Sequence, residues 1–339
     1  MQEQNRGYYR HDSTQKYSLR APQSMRARLM LEVASELAAV SAWPHKQPLI
    51  HMRAQGAEEW AFTLFGSDSA HVVHQVASGE VNFAIVNPGA ILALAIRGLG
   101  PYTTPVPVRT IAVLPQFDQL GFAVNASTGL KTLTDVKEQR YPLKLSLRGQ
   151  MDHSSLVIVN EIVKAHGFTL ADIVSWGGQV RHDKGTPDVR MPFVKSGEVD
   201  AVWDEAMPMY AVEALDLGMR FLSFDDEHAK KVDAMGLKRV PLNKELYPQI
   251  TETGVQTIDF SGWPVYTLAS TSDEWVRFFC EALDTRKDKI PFYAPGPVSA
   301  LGDGGLPLDR MCRDTMEGPL YAPLHPAAEA YWREKGYLT

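Results

Sequence analysis

The residues of this chain whose types could do chemistry fall at the ends of apolar runs. Arg148 follows Leu143 to Leu147, Asn87 closes Phe83 to Val86, and the adjacent acids Asp204 and Glu205 close Ala201 to Trp203. A guanidinium fork at the first of these positions would hold a carboxylate through two parallel hydrogen bonds. Arg26 and Arg53 are further candidates for that role, and a plain surface ion pair is the competing use of all three. Ser24 and the turn carrying Gln150, Asp152, His153, Ser154 and Ser155 stand where helices should begin. Helix starts present unpaired N–H groups and the positive end of the helix dipole, which favours an anion; ordinary capping also accounts for these residues.

Asp204 beside Glu205 is unusual at the mouth of an anion site, because like charges repel unless one takes a proton or a ligand donor engages it. That pair points to a hydroxyl- or amine-bearing ligand or, with Asp152, His153 and His182 near the same cleft, to acid–base catalysis. Solvated carboxylates and a solvated loop histidine are the plainer accounts. Trp60, Phe117, Trp176 and Trp203, near expected strand ends, suit a flat or partly apolar ligand, and core packing competes for them. There is no spacing of the His-x-x-x-His, Cys-x-x-Cys or calcium-loop kind, so no metal is expected. Nor is there a Gly-x-Ser-x-Gly turn, a Walker loop or a dinucleotide fingerprint, and no cofactor is expected either.

The elements that must position these residues announce themselves by an internal echo. Ser78-Gly79-Glu80-Val81-Asn82-Phe83-Ala84-Ile85-Val86-Asn87-Pro88 returns as Ser196-Gly197-Glu198-Val199-Asp200-Ala201-Val202-Trp203-Asp204-Glu205. In each copy a helical run ends at Ser-Gly, where glycine supplies a left-handed cap, and a short apolar strand follows that ends in polar residues. A helix feeding a buried parallel strand is half of a βαβ unit. Two copies imply two α/β lobes of one build, each offering polar side chains at the C-terminal ends of its strands, where ligands usually bind.

Size and charge agree with this. A chain of 339 residues fits two lobes better than one core. The net charge of −6 gives no basic footprint for nucleic acid. The apolar run Ala90 to Ile96 is far shorter than the roughly 20 residues needed to span a bilayer, so no membrane insertion is expected. The polar stretch from Met1 to Lys16 lacks the apolar core of a secretory signal, so the chain as written is expected in the cytoplasm, and in the periplasm if a leader has been removed.

Along the chain, residues 1–16 read as a loose arm, 17–114 as the first part of lobe 1, 115–225 as lobe 2, and 226–339 as the return to lobe 1 with C-terminal helices. A helix is expected over Met25 to Ser41 and a strand over Leu49 to Arg53; the aromatic segment after Gly56 is ambiguous. Thr110 to Leu114 and Leu120 to Asn125 read as extended segments of a two-strand hinge. A strand is expected over Ile173 to Trp176, with Arg181 to Thr186 as a polar loop.

Several of these pieces together resemble the TAXI family, the solute receptors of TRAP-type transporters. The match is carried by Ser78 to Val86, by Gly129-Leu130-Lys131-Thr132-Leu133-Thr134-Asp135-Val136-Lys137, and by Ala165-His166-Gly167-Phe168-Thr169-Leu170-Ala171-Asp172-Ile173. Ser196 to Trp203 and the terminal Leu324-His325-Pro326-Ala327-Ala328-Glu329-Ala330-Tyr331-Trp332-Arg333-Glu334-Lys335-Gly336 complete it. The chain departs from the family at Ala21-Pro22-Gln23-Ser24-Met25-Arg26, where a glycine- and tyrosine-rich turn is usual. The resemblance implies an α/β, two-lobed type II periplasmic-binding-protein-like fold with a central cleft and two-strand hinge. It implies a receptor that closes on a small organic carboxylate, with a TRAP-type membrane permease as partner if exported. The alternative is a cytosolic, cofactor-free enzyme on the same fold, a decarboxylase or lyase acting on an aromatic or dicarboxylic acid, with Asp152, His153, Asp204 or Glu205 as acid or base.

Overall fold

The computed structural model describes residues 29–35, 47–54, 57–114, 118–205, 207–224, 226–242, 244–245, 247–250, 254–290, 293–294, 300–301 and 320–338. Residues 29–35, inside the helix expected over Met25 to Ser41, are helical. The chain then forms β1 (Leu49–Ala54) and β2 (Ala57–Ser67), an antiparallel pair. The aromatic segment that periodicity left open is therefore a strand, settled by its partners on both sides. From β2 the chain enters helix α1 (Val72–Ala77) and returns as β3 (Phe83–Val86), parallel to β2. This is the first echo, with Gly79 at φ 79° where a side chain would be strained.

Helix α2 (Ile91–Arg97) follows, and Ile91 to Ala95 are wholly buried. A short helix that is apolar all round needs cover on every side. One side packs on the first sheet, and the other continues into the apolar stripe of a helix from the second lobe.

β4 (Val108–Leu114) leads across to β5 (Gln119–Asn125), then α3 (Leu133–Glu138), which opens with a reciprocal Thr132–Asp135 capping box. β6 (Lys144–Arg148), α4 (Ser154–Ala165), α5 (Leu170–Ser175) and β7 (Gln179–Asp183) come next. The strand expected over Ile173 to Trp176 is thus the end of a helix. A Thr169–Asp172 capping box starts that helix, and the extended segment begins only after the Gly177-Gly178 turn, in what read as a polar loop. Helix α6 (Pro187–Ser196), capped by Gly197, delivers the second echo strand β8 (Ala201–Asp204). Then follow α7 (Met207–Asp216), β9 (Met219–Phe221), α8 (Asp226–Ala234), β10 (Arg239–Pro241) and β11 (Gln256–Asp259). β12 (Trp263–Leu268), α9 (Asp273–Arg286), the pair β13 (Tyr293–Ala294) and β14 (Ala300–Leu301), and α10 (Pro326–Glu334) complete the chain.

Two sheets result. The first runs β1-β2-β3-β12-β4; the second runs β10-β11-β5-β8-β6-β7, with β9 also on β5. Parallel pairs β2·β3, β6·β7 and β6·β8 form the centre of each βαβ unit, and antiparallel β12 and β5 flank them. The chain stays in the second sheet through Asp259, so the return to the first sheet comes at Trp263, later than residue 226. The segments 108–114 and 119–125 do not pair with each other as the hinge reading implied. They are successive parts of one crossing, and the second crossing runs antiparallel beside it: Trp263 faces Leu114 in one sheet, and Ile258 faces Leu120 in the other. The Phe260 N–H donates to the Asp118 carbonyl between them at 3.0 Å. The last helix is anchored on β4, where the Trp332 indole donates to the Ile111 carbonyl at 2.7 Å.

Candidate functional site

The parallel strands of both sheets aim their C-terminal ends at one gap, because each precedes a helix that returns over its own sheet. From the first lobe come Asp68 and Ser69 after β2 and Asn87 after β3; from the second come Arg148 at the end of β6, His153 at the start of α4, and Asp204 and Glu205 at the end of β8. The two echo strands meet here. The Asn87 amide donates to Glu205 Oε1 at 3.3 Å. Arg148 lies 3.4 Å from Asp204 Oδ1 and 3.8 Å from Glu205 Oε1. Of the expected site residues, Asn87, Arg148, His153, Asp204 and Glu205 therefore come together.

Their acids are not left to repel each other. Arg190, on α6 and wholly buried, sits with Nη1 at 2.7 Å from Asp204 Oδ2 and donates through Nη2 to the carbonyls of Leu147 and Asp183, each at 3.2 Å. Burial alone would raise the Asp204 carboxyl, but Arg190 and then Arg148 outweigh it and hold the group below the usual carboxylate range. With Asp204 neutralised from behind, the contacts of Arg148 to the two acids stay long and 24% of its side chain remains exposed. A charge-assisted pair at full strength would be near 2.8 Å.

His153 has a defined role. As the N-cap of α4 its Nδ1 accepts from the Ser155 N–H at 3.2 Å and lies 2.8 Å from the Ser155 hydroxyl. The neutral ring thus carries its proton on Nε2, which faces Glu205 Oε1 at 3.1 Å and Asp68 Oδ2 at 4.0 Å. Burial opposes the charged ring, yet the Glu205 carboxylate wins and raises the His153 proton affinity above its ordinary value.

Other expectations are corrected. The start of α4 is not a vacant anion cradle: both the N–H and the hydroxyl of Ser154 donate to the Asp68 carbonyl across the gap, each at 2.7 Å, and the next two N–H groups go to His153. Ser154 fastens the lobes together. Gln150 lends its backbone carbonyl to the same turn, Asp152 points to solvent, and His182 is exposed, its ring bonded to the Arg148 carbonyl. Trp203 stacks on Phe122 across β8 and β5 with ring centres 4.5 Å apart and is only 2% exposed, so it builds core rather than a ligand surface. Trp176 packs on Phe168. Ser24, Arg26 and Phe117 lie outside the described residues, as do the side chains of Arg53 on β1 and Trp60 on β2. Asp68 and Arg190 are site residues that the sequence did not flag. A Ser-Asp-Ser after an ambiguous segment and an arginine in mid-helix carry no signal of their own.

No protein-family model and no curated protein sequence matches this chain. Among solved structures, it is similar to the periplasmic aliphatic sulphonate binding protein SsuA of Escherichia coli, with 15% identity over 78% of this chain and 69% of that one, at a TM-score of 0.34. A similar likeness holds for an R. palustris protein with adipate, with 16% identity over 75% and 76% of the two chains and a TM-score of 0.32. A TRAP periplasmic solute binding protein from Rhodobacter sphaeroides shows 11% identity over 64% and 63%, with a TM-score of 0.29. The class of this molecule rests on its own topology: an α/β protein of two lobes, two antiparallel crossings and strand ends facing one gap, the type II periplasmic-binding-protein architecture.

Proposed function

We propose that this chain is a solute-binding protein that holds a small organic carboxylate between its lobes, with Arg148 as the carboxylate anchor. The observation that supports this most is the meeting of Asn87, Arg148 and the Asp204–Glu205 pair at the ends of three strands drawn from both lobes. Arg148 is the partly exposed cation of that cluster, and the buried Arg190 satisfies its nearest acid. An incoming carboxylate then needs only to replace two long contacts with two short ones. The TAXI resemblance supports the same reading and adds a TRAP-type permease as partner where the protein is exported. Acid–base catalysis by His153 is disfavoured by its surroundings: the side chain is 0% exposed, Nδ1 is taken by the helix cap and Nε2 faces Glu205 Oε1, so neither ring nitrogen is turned toward a substrate.

Calorimetric titration of small organic acids tests the proposal. Arg148→Ala should weaken the tightest binder by 30-fold or more, in line with about 2–5 kcal/mol for losing one partner of a buried charged pair. An unchanged affinity removes Arg148 from the site. Recovery of the bound acid chemically intact supports binding, and its conversion supports the enzyme.

A further inference from the structure

Two acceptors at the lobe junction have no donor among the described residues. Glu205 is 1% exposed, yet its Oε2 has no hydrogen-bond partner among the described residues; its other oxygen takes the Asn87 amide and faces His153. The buried Oδ1 of Asn87 is likewise without a donor. Both atoms belong to side chains that touch each other across the gap, beside the partly exposed guanidinium of Arg148. Buried polar atoms are nearly always satisfied, and a carboxylate oxygen stranded without a donor is among the costliest exceptions. Conformational repair within the protein is limited. The neighbouring bases are already committed, Arg190 to Asp204 and two carbonyls, and His153 to the helix cap and Glu205 Oε1.

We infer that the ligand carries, next to the carboxylate held by Arg148, a group with at least two N–H or O–H donors that engage Glu205 Oε2 and Asn87 Oδ1. This rests on the carboxylate reading above and narrows it to amino or polyhydroxy acids. Charge favours the amino arm. An ammonium beside the unpaired Glu205 oxygen is attracted to it, whereas a bare carboxylate brings only like charge toward Asp204 and Glu205. A single hydroxyl supplies one donor for two acceptors and should fall between the two.

Titration of wild-type protein with matched acids tests the inference without relying on any variant: succinate, malate and aspartate as one series, and 3-phenylpropionate, 3-phenyllactate and phenylalanine as another. Gluconate serves as the polyhydroxy arm and phenethylamine as a donor without a carboxylate. In the series that binds, the amino member should be at least tenfold tighter than its donor-free parent, with the hydroxy member between. A gluconate preference of the same size supports the polyhydroxy form. Glu205→Gln should bring the amino-to-parent ratio toward one while the parent acid still binds. Equal affinities along a series, as expected if water alone satisfies these acceptors, overturn the inference and leave the carboxylate reading standing. Binding of phenethylamine that Glu205→Gln abolishes supports the donor inference and removes the carboxylate reading. No binding in any arm overturns both.

Discussion

Replacing Arg190 by Met tests how the site is held together. The side chain is wholly buried and is the nearest cation to Asp204, at 2.7 Å. Its removal leaves a carboxylate that is itself 0% exposed with Arg148 as its cation at 3.4 Å and the Glu205 N–H at 2.7 Å, and strips a donor from the carbonyls of Leu147 and Asp183. Breaking a buried pair from one side costs about 3–5 kcal/mol. Compensation by Arg148 pulls toward the lower figure, and the two abandoned carbonyls pull toward the higher. For a unit of about 150 residues each kcal/mol moves Tm by about 2–4 °C, so the expected fall is about 6–20 °C in scanning calorimetry at pH 7.

The sign with pH is fixed by Asp204. Its carboxyl is depressed in the folded state, so the pair's stabilisation is present above the ordinary aspartate range and is lost as pH falls through the depressed value. The variant can instead protonate Asp204, and the gap between the two proteins should narrow in acid. Adding Asp204→Asn to the variant should recover part of the loss at pH 7. A variant within 2 °C of wild type at pH 7, or a gap that widens in acid, would refute the account of Arg190 as the counter-charge.

Further outcomes follow from the same geometry. The His153–Glu205 contact should stabilise the protein most below the ordinary histidine pKa and fade as pH rises through the raised His153 value, so the Tm difference between wild type and His153→Gln should shrink toward alkaline pH. In Gly185→Ala the new Cβ would stand 3.3 Å from Arg148 Nη1 and 3.4 Å from Asp204 Oδ2, so ligand affinity should fall several-fold with Tm nearly unchanged. Trp332→Ala should cost about 3–5 kcal/mol in chemical denaturation, because it empties a buried site and orphans the Ile111 carbonyl. Because α2 is buried between both lobes, opening would expose Ile91, Leu92 and Leu94, and small-angle scattering should show little expansion of the ligand-free protein; a clear expansion would contradict that apolar seam.

The sequence carried the architecture where local chemistry and tertiary demand agreed. Gly79 and Gly197 both adopt the left-handed conformation that the Ser-Gly echoes predicted, and the apolar runs behind them are the strands whose ends meet. Arg148, Asn87, Asp204 and Glu205 were legible because they are polar residues closing apolar runs. What depended on partners was not legible. β2 looked ambiguous because Phe62 and Phe65 pack into two different apolar clusters. The strand over 179–183 was hidden because its side chains are half-exposed, without the apolar run that marked the others. The Ser154 start of α4 read as an anion cradle because nothing local shows that the Asp68 carbonyl reaches across to fill it. Arg190 was invisible for the same reason, its role being set by a carboxylate that follows another strand.

The central claim is that a carboxylate ligand sits between the lobes against Arg148, Asn87 and Glu205. A crystal structure of the protein with its tightest-binding acid tests this most directly. The account predicts the carboxylate paired in two-point fashion with the Arg148 guanidinium and a donor group on Glu205 Oε2. A ligand seated elsewhere, with the Arg148 contacts to Asp204 and Glu205 undisturbed, would contradict it.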